Sequence, residues 1–366
     1  MMEKGKISSL QMAMLMYPTI VATAILSVPS ITAKYAAQDL WLSPVFASIM
    51  GFLTVYIAIR LQKLYPNFTF VQTIEQIIGR FPGKIISFFI LFFYIHINGQ
   101  IVREYGEFIV SSFLHKTPIS IIMSMMVLLC AFVVYGGLEV LGRVAQLLFP
   151  IFFIPLIILI FLISPNFELG NILPILERGI YPTLKGAIVP GGWFTEFFLI
   201  IFMLPFLADI KKGMKYGIIT VFGVMVTLVV VNLIVLLVLG TTTASKAYPL
   251  MLASRYISFA DFFENLDSVV MAIWIVGAFV KISVIYYAVA LGTAQLLNLS
   301  DYRPIIWPIG IFTLEFSFWS LPNTMTLNYF NLIFPFYGAL LQTIIPLFLL
   351  VIGVIRKRNS KEFHSS

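Results

Sequence analysis

Residues 14–34 read MLMYPTIVATAILSVPSITAK. No charge interrupts this run before Lys34, and a bilayer core needs about 20 consecutive apolar residues per helix. The stretch predicts a membrane-spanning helix, and the rest of the chain repeats its character. Of the 366 residues, 60% are hydrophobic and 11% charged. A soluble domain carries about 25% charged residues, because a solvated surface needs them. The composition excludes a large soluble core and predicts an all-α integral membrane protein.

About ten transmembrane helices are expected, near residues 10–33, 42–62, 84–113, 118–136, 139–164, 187–207, 215–239, 266–296, 304–321 and 330–355. The opening MMEKGKISSLQ is too short and too polar for a signal peptide, so the first run is kept as a helix. With both termini in the cytoplasm, fifteen of the 23 basic residues fall in inner segments and six in outer ones, leaving Arg103 and Lys281 within spans. That bias favours an even number of spans. The same bias accounts for the net charge of +7 without a nucleic-acid partner, since basic loops meet anionic lipid. The lone cysteine and three scattered histidines provide no metal-ligand spacing, and no phosphate loop or nucleophile motif occurs. Neither an enzyme nor a cofactor is expected. Between spans, 63–83 contains an amphipathic stretch expected on the inner face, and 165–186 and 240–264 are expected to cap an outer vestibule with short helices.

Four features can carry chemistry. In the first span, Pro18 and Pro29 each remove a helical hydrogen bond, and Ala22, Thr23 and Ala24 lie between them. Such interrupted segments mark midplane binding sites in helical transporters; the alternative is a kinked helix with a small-residue packing face. In the sixth span, Pro190, Gly191 and Gly192 precede Trp193, Thr195 and Glu196. An ionisable residue inside a span is a functional candidate because exposing it to lipid is costly; alternatively Glu196 sits in the first turn of a helix beginning at Trp193. The first and sixth spans open two halves of five helices, 10–164 and 187–355, within a single domain of residues 1–366. Five is odd, so the second half starts from the opposite face, and breaks at equivalent places fit an inverted repeat.

In the third span His96, Gln100, Arg103 and Glu107 stack along one helical face, beside Glu104. At about 1.5 Å per residue from Lys84, His96 lies near the midplane and Glu107 at the outer interface. The stripe lines a wet vestibule or holds a structural Arg103–Glu107 pair. In the eighth span Lys281 lies too deep to snorkel. It must find a carboxylate or backbone carbonyls, or lose its proton. It is read as a stand-in for a bound cation, a proton relay, or the partner of Glu196 or Glu315 in a fixed ion pair.

The opening ISSLQ and ATAILSVP, the GGWFTE of the sixth span and the AFVKIS of the eighth resemble the B subunit of bacterial spore germinant receptors, the spore permease family. The resemblance spans the whole chain. It implies the five-plus-five inverted-repeat fold of APC-superfamily (LeuT/APC-like) permeases, with interrupted first and sixth helices. It also implies residence in the spore inner membrane, and a complex with an A subunit and a lipoprotein C subunit. The implied role is sensing a nutrient, commonly an amino acid; the alternative is a proton-coupled amino-acid transporter acting alone. Where permeases of the superfamily break the first helix with Gly-x-Gly, this chain has Ala22 and Ala24, and alanine favours helix by about 1 kcal/mol over glycine. The expected ligand site is Thr23, Ala24, Ile25, His96, Gln100, Gly191, Gly192 and Trp193. There freed N–H groups receive a carboxylate, with Lys281 and Glu196 as ion-site or proton-coupling residues.

Overall fold

The protein is described here by a computed structural model covering residues 3–66, 68–259, 263–264, 266–320 and 333–363. Its first helix, α1 (Ser9–Ala36), is started by a reciprocal cap. Gln11 N donates to Ser8 Oγ at 3.1 Å, and Ser8 N donates to the Gln11 side chain at 2.9 Å. The residues ahead of it are pinned to a distant loop: Ile7 N donates to Phe206 O at 3.2 Å and Ala208 N to Ile7 O at 2.9 Å. Ser9 N donates to Asp209 Oδ1 at 2.6 Å.

Burial alone would raise the Asp209 carboxyl, but the hydrogen bonds from Ser9 and the charge of Lys212 outweigh it and hold it below the ordinary 3.8. A carboxylate with a depressed folded pKa stabilises above its unfolded value, and that stabilisation fades as pH falls through the lower, folded one. Melting curves of the purified protein between about pH 3 and pH 6 should show an acid-side decline. In Asp209→Asn that decline should be shallower.

Further helices follow in order. They are α2 (Ser43–Leu64), α3 (Phe70–Ile78), α4 (Arg80–Ser112), α5 (Ile119–Gly136), α6 (Leu138–Ile163), α7 (Tyr181–Thr195), α8 (Gly213–Leu239), α9 (Pro249–Ser254), α10 (Asp267–Leu296), α11 (Arg303–Trp319) and α12 (Ile345–Phe363). A π-helical turn, Leu340–Ile344, leads into α12. Strand pairing is limited to Ser258–Phe259 against Phe263–Glu264 among the described residues. Among the described residues, eight segments are long and apolar enough to cross a membrane; one of them, Ser9–Leu64, contains both α1 and α2. At 17 residues, α11 is at the lower limit for a crossing. Each of the ten predicted spans overlaps a helix. The Lys357 ammonium reaches the Leu64 carbonyl, and Arg356 Nη1 donates to Gln76 O at 3.2 Å. The far end of α12 therefore lies beside the ends of α2 and α3.

Three expectations change in the structure. First, α1 runs without interruption from Ser9 to Ala36, through both prolines. Each proline costs its own hydrogen bond, and Ala22 and Ala24 keep the helix between them where glycines would release it. Second, the sixth span does not break at Pro190-Gly191-Gly192. It stays α-helical through Thr195 and tightens into a 3-10 helix over Glu196–Phe202. There Glu196 N bonds Phe194 O and Trp193 O in place of Gly192 O, and Thr195 Oγ donates to Gly192 O at 2.7 Å. Third, the amphipathic stretch forms α3, which packs into the bundle. Phe70 is buried, edge-on to Phe198 at 5.1 Å and to Phe202 at 5.4 Å, so α3 braces the 3-10 segment. The outer loops do contain short elements: 3-10 turns at Ser164–Asn166, Leu169–Ile172 and Gly240–Ser245, and α9.

Helix α10 is the spine. From Ala278 to Leu291 all but Phe279 are buried, and it packs on α1, α4, α5 and α6.

Candidate functional site

Three elements converge on Lys281 of α10. Its ammonium donates to Glu196 Oε1 at 2.9 Å, to Glu196 Oε2 at 2.7 Å and to Thr23 Oγ1 at 2.8 Å. Trp193 Nε1 donates to the same Thr23 oxygen at 2.9 Å. The side chains of Lys281 and Glu196 are 1% and 4% exposed. An ammonium has three donors, and here all three are used. Removing two charges from water is expensive, and it is tolerable because each charge is paired and hydrogen-bonded. Glu196 reaches the lysine because it heads the 3-10 segment, where the tighter turn resets which side chains face α10.

The Thr23 hydroxyl receives two buried donors. In Thr23→Val the shape is kept and both donors lose that acceptor. A loss of about 1–3 kcal/mol is expected for each buried group left unsatisfied. Thr23→Ser should recover most of it, read as melting temperature in detergent.

Along α10 the pair is covered at both ends. Seven residues before Lys281, about 10 Å along the axis, Trp274 stacks on Tyr105 at 5.4 Å and meets Phe108 at 4.5 Å. Phe108 in turn meets Tyr248 at 5.0 Å. Tyr248 lies ahead of α9. Burial, together with the Glu104 and Glu107 carboxylates, raises its phenol well above the ordinary value, so it stays protonated. Six residues after Lys281, Tyr287 meets Tyr302 at 6.0 Å. Tyr302 OH donates to Glu3 Oε2 at 3.2 Å, and Leu138 N at the start of α6 donates to the same oxygen at 3.0 Å. Gly137 has φ +91°, and a β-carbon there would lie 3.2 Å from Glu3 Oε2. The bare backbone lets the Glu3 carboxylate cap α6. The N-terminal arm thus seals the end of the bundle below Lys281.

The predicted site residues divide. Thr23, Trp193, Glu196 and Lys281 come together. Ala24 and Ile25 are buried in the unbroken α1, so freed N–H groups are not provided there. Ile25 retains one unusual feature: Pro29 has no N–H to offer its carbonyl. Gly192 permits close packing, since a β-carbon there would lie 3.0 Å from Pro335 Cα, whereas one on Gly191 would meet only Met50, at an ordinary 3.7 Å. His96 and Gln100 form a pair at 3.3 Å, and the His96 ring lies against Phe316 at 5.8 Å and Tyr337 at 6.3 Å. Arg103 and Glu107 pair at 2.7 Å. Glu315 is exposed on α11, so of the two carboxylates weighed for Lys281 the structure selects Glu196.

One residue left off the predicted face belongs near the site. Glu104 interacts electrostatically with both Lys281 and Glu196. Its signal was the spacing of four from Gln100, which continues the line from His96 as well as Arg103 does. A second connected set braces α7. Tyr94 OH donates to Gln342 Oε1 at 3.0 Å, and Gln342 Nε2 donates to Thr195 Oγ1 at 3.1 Å.

Comparison with known proteins adds to this geometry. Residues 6–325 match the family model described as spore germination protein. Spore germination protein KB of Bacillus subtilis is 27% identical, covering 99% of this chain and 98% of that protein. Spore germination protein YndE of the same organism is 24% identical over 98% and 99%. Among solved structures, a Na+-coupled sialic acid symporter superposes with a TM-score of 0.67 at 12% identity, covering 92% of this chain and 79% of its own. MhsT in complex with L-phenylalanine gives 0.65 at 15% identity, over 95% and 89%. At such identities the likeness establishes the fold alone, that of LeuT-type transporters.

Proposed function

The chain belongs to the spore germination protein family, a group of multi-pass membrane permeases and not enzymes, and on that premise we propose that it is the nutrient-sensing B subunit of a germinant receptor. It binds a small nutrient, an amino acid, between α1, α7 and α10. The A subunit and the lipoprotein C subunit read the resulting change of shape. The reading places it in the inner membrane of the spore with both termini cytoplasmic. It also takes the chain to cross ten times, with residues 10–164 and 187–355 as inverted halves.

The observation that carries the proposal is the threefold coordination of Lys281. One ammonium ties α10 to the 3-10 segment after α7 through Glu196 and to α1 through Thr23. A zwitterion competes for these bonds. Its carboxylate faces Lys281 and the Trp193 N–H, and its ammonium faces Glu196, Glu104 and the Ile25 carbonyl. Any ligand that takes one of the three bonds changes how the helices are held together. It shifts the balance of conformations by its differential affinity for them. Lys281 itself stands where a permanent cation would otherwise be needed between α1 and α10. That arrangement suits a sensor that need not cycle with an ion. A fold shared with a Na+-coupled symporter and a phenylalanine-binding protein is consistent with a small charged ligand at this level.

A lone proton-coupled amino-acid transporter is the second reading, favoured by the grouping of Glu104, Glu196 and Lys281. Binding of an amino-acid panel to the purified protein tests the first. Saturable binding of one or a few amino acids, lost in Thr23→Val, is expected, and no binding by any would refute it. Robust uptake of the bound amino acid by proteoliposomes containing this chain alone would favour the second reading instead.

A further inference from the structure

On the periphery of the bundle, α1, α6 and α8 enclose a groove of about 400 Å3. Leu10 to Tyr17 form one wall, Phe149 and Phe153 the second, and Tyr216 to Thr227 the third. Its polar atoms are consumed internally: Tyr17 OH and Thr227 Oγ1 are 2.6 Å apart, and Thr227 Oγ1 also bonds Gly223 O at 2.9 Å. The inner lining is therefore apolar and meets nothing it must hydrogen-bond. Gly223 opens the floor, since a β-carbon there would meet nothing nearer than the Tyr17 ring at 3.7 Å.

The groove has a charged mouth and a defined length. From Tyr216 to Thr227 it extends about 16 Å along α8 at 1.5 Å per residue, close to the roughly 15 Å of one leaflet's hydrocarbon. Lys215 lies one turn before Ile219 on the same helical face, and Lys211 precedes the helix; both are exposed. Their neighbours are already matched: Lys212 lies 4.0 Å from Asp209, and Arg143 on α6 pairs with Glu139. Among the described residues, no carboxylate lies within ion-pair distance of Lys211 or Lys215. An unmatched pair of cations therefore stands where a slot of one leaflet's depth opens to the interface.

We propose that this groove binds one anionic phospholipid, with an acyl chain between α1, α6 and α8 and its phosphate at Lys211 and Lys215. A zwitterionic lipid fills the slot equally well but brings its own cation to the two lysines. The site therefore discriminates by charge rather than by shape. It is independent of the Lys281 site and of the reading given to it.

The experiment compares melting of the purified protein in mixed micelles containing phosphatidylglycerol or phosphatidylcholine, with native mass spectrometry counting retained lipid. Wild type should melt several degrees higher with phosphatidylglycerol and retain one copy. The double variant Lys211→Gln/Lys215→Gln removes the charge and should melt alike in both lipids. Gly223→Leu fills the floor and should lose the retained copy while still unfolding cooperatively in phosphatidylcholine. If Gly223→Leu does not fold, the lysine variant decides. Equal melting of wild type in the two lipids, or a phosphatidylglycerol effect that survives the lysine changes, overturns the proposal. So does a concentration-dependent dimer insensitive to lipid charge, which would make a second copy the occupant.

Discussion

Lys281→Met should lower the stability of the purified protein by about 3–5 kcal/mol, the usual cost of removing one partner from a buried ion pair. The pair itself is not a large source of stability, because the desolvation of both charges offsets most of their attraction. What the substitution creates is a buried Glu196 carboxylate with no cation beside it, at a position only 3% exposed. Adding Glu196→Gln removes the orphaned charge, so Lys281→Met/Glu196→Gln should regain much of the lost stability. Thermal or denaturant unfolding of the wild type, both single variants and the double variant measures the coupling. Equal losses in the Lys281 single and the double would show that the carboxylate is satisfied in some other way. The same four proteins separate folding from function. On the proposed reading, the double variant should assemble with the A and C subunits and yet give no response to nutrient in spores, because Lys281 then ties α10 neither to the 3-10 segment nor to α1. A normal response from the double variant would remove Lys281 from the mechanism.

Gly277→Ala should be strongly disruptive for so small a change. Gly277 lies one turn before Lys281 on α10. A β-carbon there would stand 2.5 Å from Ala22 Cβ and 2.7 Å from the Phe152 ring. Ala22 Cβ is bonded directly to its backbone and cannot swing aside, so the helices must separate. Overpacking of this kind costs about 1–3 kcal/mol. The separation also draws Lys281 away from Thr23, one residue after Ala22. Nutrient response should therefore fall further than stability alone accounts for. Exchanging the pair, as Ala22→Gly/Gly277→Ala, moves the methyl group from one helix to the other and should restore the approach. Melting temperature and germination rate of the exchange variant are the measurements. Failure to recover either would mean that the helix content of α1 at Ala22 or the Phe152 ring, and not the contact with Ala22 Cβ, is what matters. That outcome is distinguishable because Ala22→Gly alone would then destabilise by the helix-propensity term, about 1 kcal/mol.

Much of the architecture was legible before any coordinates. Each predicted span overlaps a helix because hydropathy is a property of the local sequence, and the bilayer imposes one secondary structure on any segment that crosses as a single element. The site was legible in part. Lys281 and Glu196 stood out because an ionisable group in a span is costly wherever it points. Trp193 and Thr23 stood out because they adjoin helix-breaking residues. The detailed positions of the breaks were not legible. Pro190-Gly191-Gly192 has the composition of a break, yet the helix passes through it. The change of geometry comes one turn later, where the 3-10 helix begins at Glu196. Gly192 is explained by the neighbours that press on it, and those come from the segment leading into α12. His96 and Gln100 sat at the right depth, but depth says nothing about azimuth, and the His96 ring lies against α11 and Tyr337.

The membrane class, the helical elements and the need of Lys281 for a counter-charge follow from residue chemistry and spacing. Each depends on transfer from water to an apolar medium or on backbone hydrogen bonding within one segment. The choice of Glu196 over Glu315, the recruitment of Thr23 from an intact α1 and the approach of Glu104 depend on how helices are rotated and how closely they pack. Those quantities are set by contacts between residues far apart in the chain, such as Gly277 against Ala22 and Phe70 against Phe198. The stretch MLMYPTIVATAILSVPSITAK shows both sides. Its apolar length is enough to place it in a bilayer, whereas Thr23 acquires its two donors only because α7 and α10 arrive from 170 and 258 residues away.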